Sequence, residues 1–345
     1  MQRTTVMLLF GGESSEHTVS VSSARNVFAA LDDTKYDVIL GYIDQAGKWW
    51  LLDNLSDQID ASNMPQLVPV LGMGSFMTVP DNELITPAVI LPILHGANGE
   101  DGTVQGLARL MHIPIVGCDL TSSAVCMDKV LTKQLLEHDN IKTVPYVVHL
   151  SGESRPSFGQ LSDQLGTTLF VKPARSGSSV GVNKVGNDDE LSSALSAAHK
   201  HDTKVLIEKA IVARELEIAV LGSGSNARVS SVGEIKPDRD FYSFESKYDA
   251  TSQTQVVIPA DIPVELSENI KAVAARVYRI LGCTGLARID FFLSDDNVLY
   301  VNEINTLPGF TSISMYPKLW RQDGLTYGHL IDSLINVALG GDIIN

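Results

Sequence analysis

Lys172-Pro173-Ala174-Arg175-Ser176-Gly177-Ser178-Ser179-Val180-Gly181 is the stretch on which the reading of this chain turns. It begins at the end of the short apolar run Leu169 to Lys172, so a strand closes on a lysine and opens into a loop of small and hydroxyl-bearing residues. Such a loop can aim successive backbone N–H groups at a phosphate, with the lysine as countercharge. Its spacing is not that of a P-loop, G-x-x-x-x-G-K-[ST], and no other stretch supplies one. Taken alone, the segment fits an ordinary hairpin turn as well as a phosphate lid, so the decision falls to its surroundings.

Upstream, Thr4 to Phe10 is a short apolar run closed by Gly11-Gly12, after which Val21, Ala24, Val27, Phe28 and Leu31 recur at helical spacing. Strand-like runs follow at Val38 to Ile43 and at Ala88 to Leu94, the second continuous enough for a buried parallel strand. A helix over Val104 to Met111 and a strand at Ile113 to Val116 complete the alternation, which predicts an open parallel α/β domain over residues 1-121. From Ser122 the texture turns to α+β. One helix runs to about Glu137, strands at Leu169 to Lys172 and Val205 to Glu208 flank a helix from Asp188 to His201, and Glu215 to Leu221 alternates polar and apolar, giving a central unit at 122-221. A third unit, 222-345, holds strands at Val229 to Ile235, Ala287 to Leu293 and Val298 to Asn302, helices at Val264 to Leu281 and Tyr327 to Leu339, and a polar loop from Lys236 to Gln255. A chain of 345 residues, 44% of them hydrophobic, exceeds what one core serves, in keeping with several units.

A formal net charge of -15 repels polyanions, which argues against nucleic-acid and acidic-membrane partners and requires any phosphate site to be a focused pocket. The three cysteines, Cys118, Cys126 and Cys283, lack metal-ligand spacing and suit reduced, buried thiols of the cytosol. No apolar run is long enough to span a bilayer, and Met1-Gln2-Arg3 leads straight into a strand without a signal-type segment. The expectation is a soluble cytoplasmic protein.

Asp290, Glu303 and Asn305 form a second constellation. Glu303 and Asn305 lie two apart on a strand and share a face, with Asp290 on the neighbouring strand, a set of hard oxygen donors suited to Mg²⁺ and phosphate oxygens. Solvated strand residues would give the same pattern, but the apolar Leu299-Tyr300-Val301 before Glu303 makes an unpaired carboxylate there costly. Arg288 shares the face of Asp290. It can stabilise an oxyanion of acyl transfer or simply pair with Asp290. Glu208-Lys209-Ala210-Ile211, with Glu215 opening the next strand, can frame a purine and its ribose, though any edge strand reaching a linker looks similar. His95-Gly96, followed by Gly99-Glu100-Asp101-Gly102, sits at the end of the buried strand where an open α/β sheet binds ligands, and a histidine satisfied within its own loop fits equally.

In this order the pieces resemble the D-alanine:D-alanine ligases of the ATP-grasp superfamily. The resemblance rests on Gly11-Gly12 through Ser14-Ser15-Glu16-His17-Thr18-Val19-Ser20, on His95 through Thr103, on Lys172 to Gly181, and on Asn302-Glu303-Ile304-Asn305-Thr306-Leu307-Pro308-Gly309-Phe310-Thr311. It implies an ATP-grasp fold behind an N-terminal α/β domain, with ATP and two Mg²⁺ ions, replaceable by Mn²⁺, as cofactors. It implies synthesis of D-alanyl-D-alanine for peptidoglycan by a homodimer. By the same resemblance Glu16 holds the ammonium of the first substrate, with Ser178 and Tyr248 as hydrogen-bonding partners and His95 near that substrate's carboxylate. Lys129, Lys172 and Lys247 neutralise phosphate oxygens; Glu208, Lys209, Ile211 and Glu215 contact adenine and ribose. Asp290, Glu303 and Asn305 hold the metal ions, Arg288 and the Gly309 backbone stabilise the oxyanion, and Ser314 and Met315 meet the second substrate's carboxylate.

Ser176 departs from the glutamate that many members carry, and Arg175-Ser176 looks more like the ligases of glycopeptide-resistance type. Thr18 is likewise often acidic in the family. Phe241 to Tyr248 looks like the dipeptide-forming branch. Ligases making a D-alanine:D-lactate or D-alanine:D-serine product are therefore the nearest alternative. A non-catalytic nucleotide-binding module would need an incomplete metal triad, and a nicotinamide site would need G-x-G-x-x-G, which Gly11-Gly12 does not supply.

Overall fold

An uncharged run of eight residues, Thr4–Gly11 (β1), forms a central strand of the first sheet, because neither face offers water to a charge. Helix α1 (His17–Ala30) buries Val21, Ala24 and Val27 on one side and carries the chain back to β2 (Tyr36–Ile43), parallel to β1. At the end of β1, Gly11 has φ +95°, and a Cβ there would collide with the carbonyl oxygen of Ile43, so only glycine lets the chain leave the sheet at this point. The computed structural model describes residues 3–177, 180–236, 254–311 and 313–344.

The sheet then departs from the all-parallel expectation. Strands β3 (Trp49–Leu52), β4 (Gln66–Val70), β5 (Ser75–Val79) and β6 (Leu84–Ile85) extend it as an antiparallel meander, and β7 (Val89–Ile93) returns to pair in parallel with β1. The order is β6-β5-β4-β3-β2-β1-β7, a mixed sheet whose parallel part is β2-β1-β7. Ile113 to Val116 contributes only a bridge between Ile115 and Ile90 in place of a full strand.

Beyond α2 (Thr103–Met111), the single helix expected from Ser122 to Glu137 is two, α3 (Leu120–Met127) and α4 (Lys129–His138). Asp128 breaks them: its backbone is extended, and its carboxylate accepts from the N–H groups of Val130 and Leu131, capping the second helix. The second sheet has the order β10-β9-β11-β8, with β8 (Tyr146–Leu150), β9 (Leu169–Pro173), β10 (Asn183–Val185) and β11 (Lys204–Lys209) all antiparallel to their neighbours. Helices α5 (Phe158–Leu165) and α6 (Asp188–Ala198) cover one face through Leu161, Leu165, Leu191 and Leu195; Val130 of α4 packs with Leu206 on the other.

The third sheet is built on β12 (Ala213–Gly222), with β13 (Arg228–Val229), β14 (Gly233–Lys236) and β15 (Gln255–Val257) to one side and β16 (Gly285–Ser294) and β17 (Leu299–Asn305) to the other. The strand expected over Val229 to Ile235 is interrupted, because Ser231 donates both its N–H and its hydroxyl to Asp323. Leu216, Ile218 and Val220 face helix α7 (Val264–Ile280), while Ala219 and Leu221 face α8 (Met315–Gln322) and α9 (Tyr327–Ala338). That second face shares one apolar core with β1 and β7, through Phe10, Leu91, Trp320 and Leu330. All three cysteines are buried and free.

Candidate active site

The β16–β17 ladder sets Asp290 opposite Glu303 and Arg288 opposite Asn305, so the two-residue period gathers all four side chains on one face. Arg288 grips Asp290 with two hydrogen bonds, Nε to Oδ1 and Nη2 to Oδ2, both at 2.7 Å, and its Nε lies 2.9 Å from Glu217 Oε2 on β12. Burial opposes the guanidinium charge, but Asp290 and Glu217 overcome it and hold Arg288 protonated well above the ordinary arginine range. The pairing with Asp290 foreseen as an alternative for Arg288 is thus present, and the same side chain borders the site cavity. Asn305 donates its amide N–H to Asp290 Oδ2 at 3.0 Å, which leaves its carbonyl oxygen as the atom it can offer a cation. Two carboxylates and an amide oxygen fit Mg²⁺, which takes few protein ligands together with phosphate oxygens. Among the described residues no three His, Cys, Asp or Glu side chains form a ready-made cage, so the fit requires oxygens brought by a ligand.

Two lysines approach from the second sheet. Lys129 opens α4; its backbone N–H bonds the Ala174 carbonyl, and its Nζ donates to the Ser176 carbonyl at 2.7 Å and lies 3.9 Å from Glu303. Burial draws its pKa below the ordinary lysine range, partly offset by Glu303. Lys172, next to last in β9, has its Nζ 2.5 Å from Glu208 Oε2. The loop between them is pinned at its start, where Asp202 accepts from the Arg175 backbone N–H and from its Nε and Nη2.

From the first sheet, Glu16 stands just ahead of α1, with its Oε2 3.8 Å from where a Cβ on Gly177 would lie and 3.1 Å from one on Gly96. His95, at the end of β7, donates from Nδ1 to the Leu307 carbonyl at 3.2 Å and lies 3.7 Å from Glu100. Its Nε2 is buried and has no hydrogen-bond partner among the described residues. Burial disfavours the imidazolium, yet Glu100 and Glu16 outweigh it and raise the His95 pKa above the usual histidine value. Glu16, His95, Lys129, Arg288, Glu303, Asn305 and Gly309 thereby meet around one cavity of about 110 Å³.

Other expected residues lie apart from that cavity. Ser314 caps the loop, its Oγ accepting from the Thr311 N–H at 3.0 Å; a Cβ on Gly309 would sit 2.9 Å from that oxygen, which explains a glycine there. The Met315 side chain is buried, its sulfur 3.0 Å from where Gly233 would carry a Cβ, so it serves the core and only its backbone remains for a ligand. Lys209 closes β11, Ile211 lies in the link to the next strand and Glu215 lies in β12. Ser178, Lys247 and Tyr248 lie outside the described residues. Two charged residues escape the sequence reading, Glu217 and the fully buried Lys133, and Glu100, quoted there within its motif, is given no role of its own. Glu217 has the one available signal, its position two residues after Glu215 on an alternating strand.

Residues 5–118 match the model of the D-ala D-ala ligase N-terminus, and residues 135–336 match that of the D-ala D-ala ligase C-terminus. The chain belongs to the D-alanine–D-alanine ligase family. This family member is 44% identical to D-alanine–D-alanine ligase A of Salmonella typhimurium over 353 residues, covering 98% of this chain and 96% of the relative. It is 42% identical to the Escherichia coli ligase A over 352 residues, with the same coverage of 98% and 96%. A D-Ala:D-Ser ligase from Enterococcus faecalis superposes with a TM-score of 0.89 at 34% identity, over 98% of this chain and all 100% of that one. The D-alanine-D-alanine ligase of Coxiella burnetii gives 0.88 at 32% identity, over 99% and 95%. The ligase fold is therefore that of the ATP-grasp enzymes, as the sequence motifs imply.

Proposed function

We propose that this enzyme joins two D-alanine molecules through an acyl phosphate, consuming ATP with a divalent cation, for peptidoglycan synthesis. The observation that carries the reading is the single cavity on which Glu16 and His95 converge with Lys129, Arg288 and Glu303. A carboxylate at one end suits an ammonium group, and cations at the other suit phosphate oxygens. In the first step the carboxylate of one D-alanine attacks the γ-phosphorus, the β,γ P–O bond breaks and ADP leaves, with Lys129 and Lys172 spreading the charge of the transferring group. A bound divalent cation supplies further neutralisation at those oxygens, held by Asp290, Glu303 and Asn305. In the second step the amine of the other D-alanine, after losing a proton, attacks the acyl carbon, Arg288 and the Gly309 N–H receive the oxyanion, and the C–O bond to phosphate breaks as phosphate leaves. Acyl phosphates hydrolyse readily, which gives the 175-181 segment the duty of excluding water.

The same reading takes the cation as two Mg²⁺ ions, with Mn²⁺ as a substitute, the active form as a homodimer and the location as cytoplasmic. Ser178, Lys247 and Tyr248 join the site, Ser314 and the Met315 backbone meet the acceptor's carboxylate, and Lys209, Ile211 and Glu215 hold adenine and ribose beside Glu208. The same reading divides the chain into units 1-121, 122-221 and 222-345, although β12 (Ala213–Gly222), the strand on which the third sheet is built, falls in the second of them. The test is ADP release with ATP, Mg²⁺ and D-alanine, with the product identified in the presence of equimolar D-alanine, D-lactate or D-serine as acceptor. D-alanyl-D-alanine as the main product is expected. A D-serine product as the main one transfers the assignment to the activity named for the Enterococcus structure, and no D-amino-acid-dependent ADP release overturns it.

A further inference from the structure

Lys133 is 1% exposed, on the inward face of α4, and takes no part in the chemistry described above. Its ammonium meets Glu208 Oε1 at 2.8 Å, donates to the Val144 carbonyl at 3.1 Å and lies 5.2 Å from the centre of the Tyr146 ring. Glu208 is thus a buried carboxylate bracketed by two ammonium groups, with Lys172 on its other oxygen. The two lysines have different prospects. Lys172 lies at the mouth of the phosphate loop and would give up Glu208 on turning to phosphate oxygens, whereas Lys133, walled in by α4 and β8, has no such freedom.

We propose that Lys133 is a positioning residue for base specificity: its fixed ammonium keeps Glu208 a pure hydrogen-bond acceptor after Lys172 has turned to the phosphates, so the site selects purines by their exocyclic amine. The inference rests on the assignment of Glu208 to the adenine site. A buried carboxylate without a proton can only accept, so the purine group it satisfies is the amine of adenine. Protonated, the same side chain donates, and would serve the 6-oxo group of hypoxanthine equally well. Desolvation pushes Glu208 toward that neutral form; Lys172 and then Lys133 pull it back, leaving its pKa below the ordinary carboxylate value. Among the described residues, the other charged or titratable groups around the pair are Lys129 and Glu137 on α4 and Tyr146 on β8. Lys129 is engaged with Ser176 and Glu303 and Glu137 accepts from Thr143, so neither replaces Lys133.

The experiment compares ATP with ITP, which differs in carrying the 6-oxo group and no exocyclic amine. KM and kcat are measured by nucleoside-diphosphate release with D-alanine and Mg²⁺, and binding of each nucleotide by calorimetry, for the parent, Lys133→Met, Glu208→Gln and the double variant. Expected is a parent that prefers ATP and a Lys133→Met variant whose ATP-over-ITP preference falls at least about tenfold, the value of one charge-assisted hydrogen bond. The loss resides in KM and in binding, deepens as pH falls because Glu208 then takes up its proton, and is absent when Lys133→Met is added to Glu208→Gln. A Lys133→Met variant that keeps the parental ratio, or weakens both nucleotides equally, overturns the proposal. Should that variant fail to fold, Glu208→Gln decides, since retained preference there overturns it too. Calorimetric discrimination without D-alanine-dependent turnover would refute the ligase reading and leave this one standing; turnover without discrimination would do the reverse.

Discussion

Arg288 is gripped by two carboxylates, Asp290 and Glu217, with most of its side chain buried. Replacing it with methionine removes the countercharge of both, a loss of roughly 3–5 kcal/mol for a broken buried pair, so the melting midpoint of Arg288→Met falls. The decisive measurement is ADP release per folded molecule, expected to drop by about 10²-fold or more, as for loss of an oxyanion donor. Activity per folded molecule near the parent's would make the residue a brace for Asp290 alone. Glu303 differs, being partly exposed on β17 with Lys129 3.9 Å away. Glu303→Gln keeps the shape of the side chain while removing a charged oxygen donor, and we expect turnover to vanish at an almost unchanged melting midpoint. Turnover within about threefold of the parent's would remove Glu303 from the cation site. These residues are legible in the sequence because strands impose a two-residue period on them. Lys133 and Glu208 are not equally so: on a helix such as α4 a lysine at a core position looks like one on the solvent face until a buried carboxylate from β11 is found opposite it.

Asp128 shows how one side chain sets the position of an element. Besides capping α4 it forms a 2.6 Å ion pair with Lys204 on β11, so the start of the helix is fixed to the sheet that carries Lys172 and Glu208. We expect Asp128→Ala to cost about 1–2 kcal/mol from the cap, with faster amide exchange confined to the first turn of α4. Because that turn carries Lys129, KM for ATP should rise while the exchange of β16 stays unchanged; uniform loss of protection across the molecule would contradict a local role. The apolar spacing of α3 and α4 runs on through Asp128, which is why periodicity alone reads one helix, and the aspartate followed by helix-forming residues is the cap signal that divides them. The parallel strands β1, β2 and β7 declare themselves as uninterrupted apolar runs. The meander β3 to β6 does not, because its strands are short, half-exposed and separated by polar turns, and their pairing is decided by neighbours distant in sequence.

At the scale of the whole molecule, the first and last elements are joined. Asp332 on α9 accepts from the Tyr36 hydroxyl at 2.9 Å and pairs with Lys35 at 2.7 Å, both at the start of β2. Burial and the neighbouring Asp332 raise the Tyr36 pKa well above the tyrosine norm, so the hydroxyl keeps its proton for that bond. In Asp332→Ala the Tyr36 hydroxyl is left without this acceptor, at about 1–3 kcal/mol, and the melting midpoint should fall by a few degrees with KM for D-alanine hardly altered. An unchanged midpoint would show that the apolar contacts alone hold the joint. Those contacts are extensive: Phe10 and Leu91 share their core with Trp320, Leu330 and Leu334. The arrangement bears on how the chain is born. The ribosome delivers the first sheet long before α9, and at about 5–20 residues per second the intervening stretch of roughly 200 residues takes on the order of 10 to 40 s to emerge. Throughout that interval α1, with Val21, Ala24 and Val27, is the cover the sheet's apolar face has, and the part of it that meets Trp320 and Leu330 in the finished molecule waits for the end of the chain.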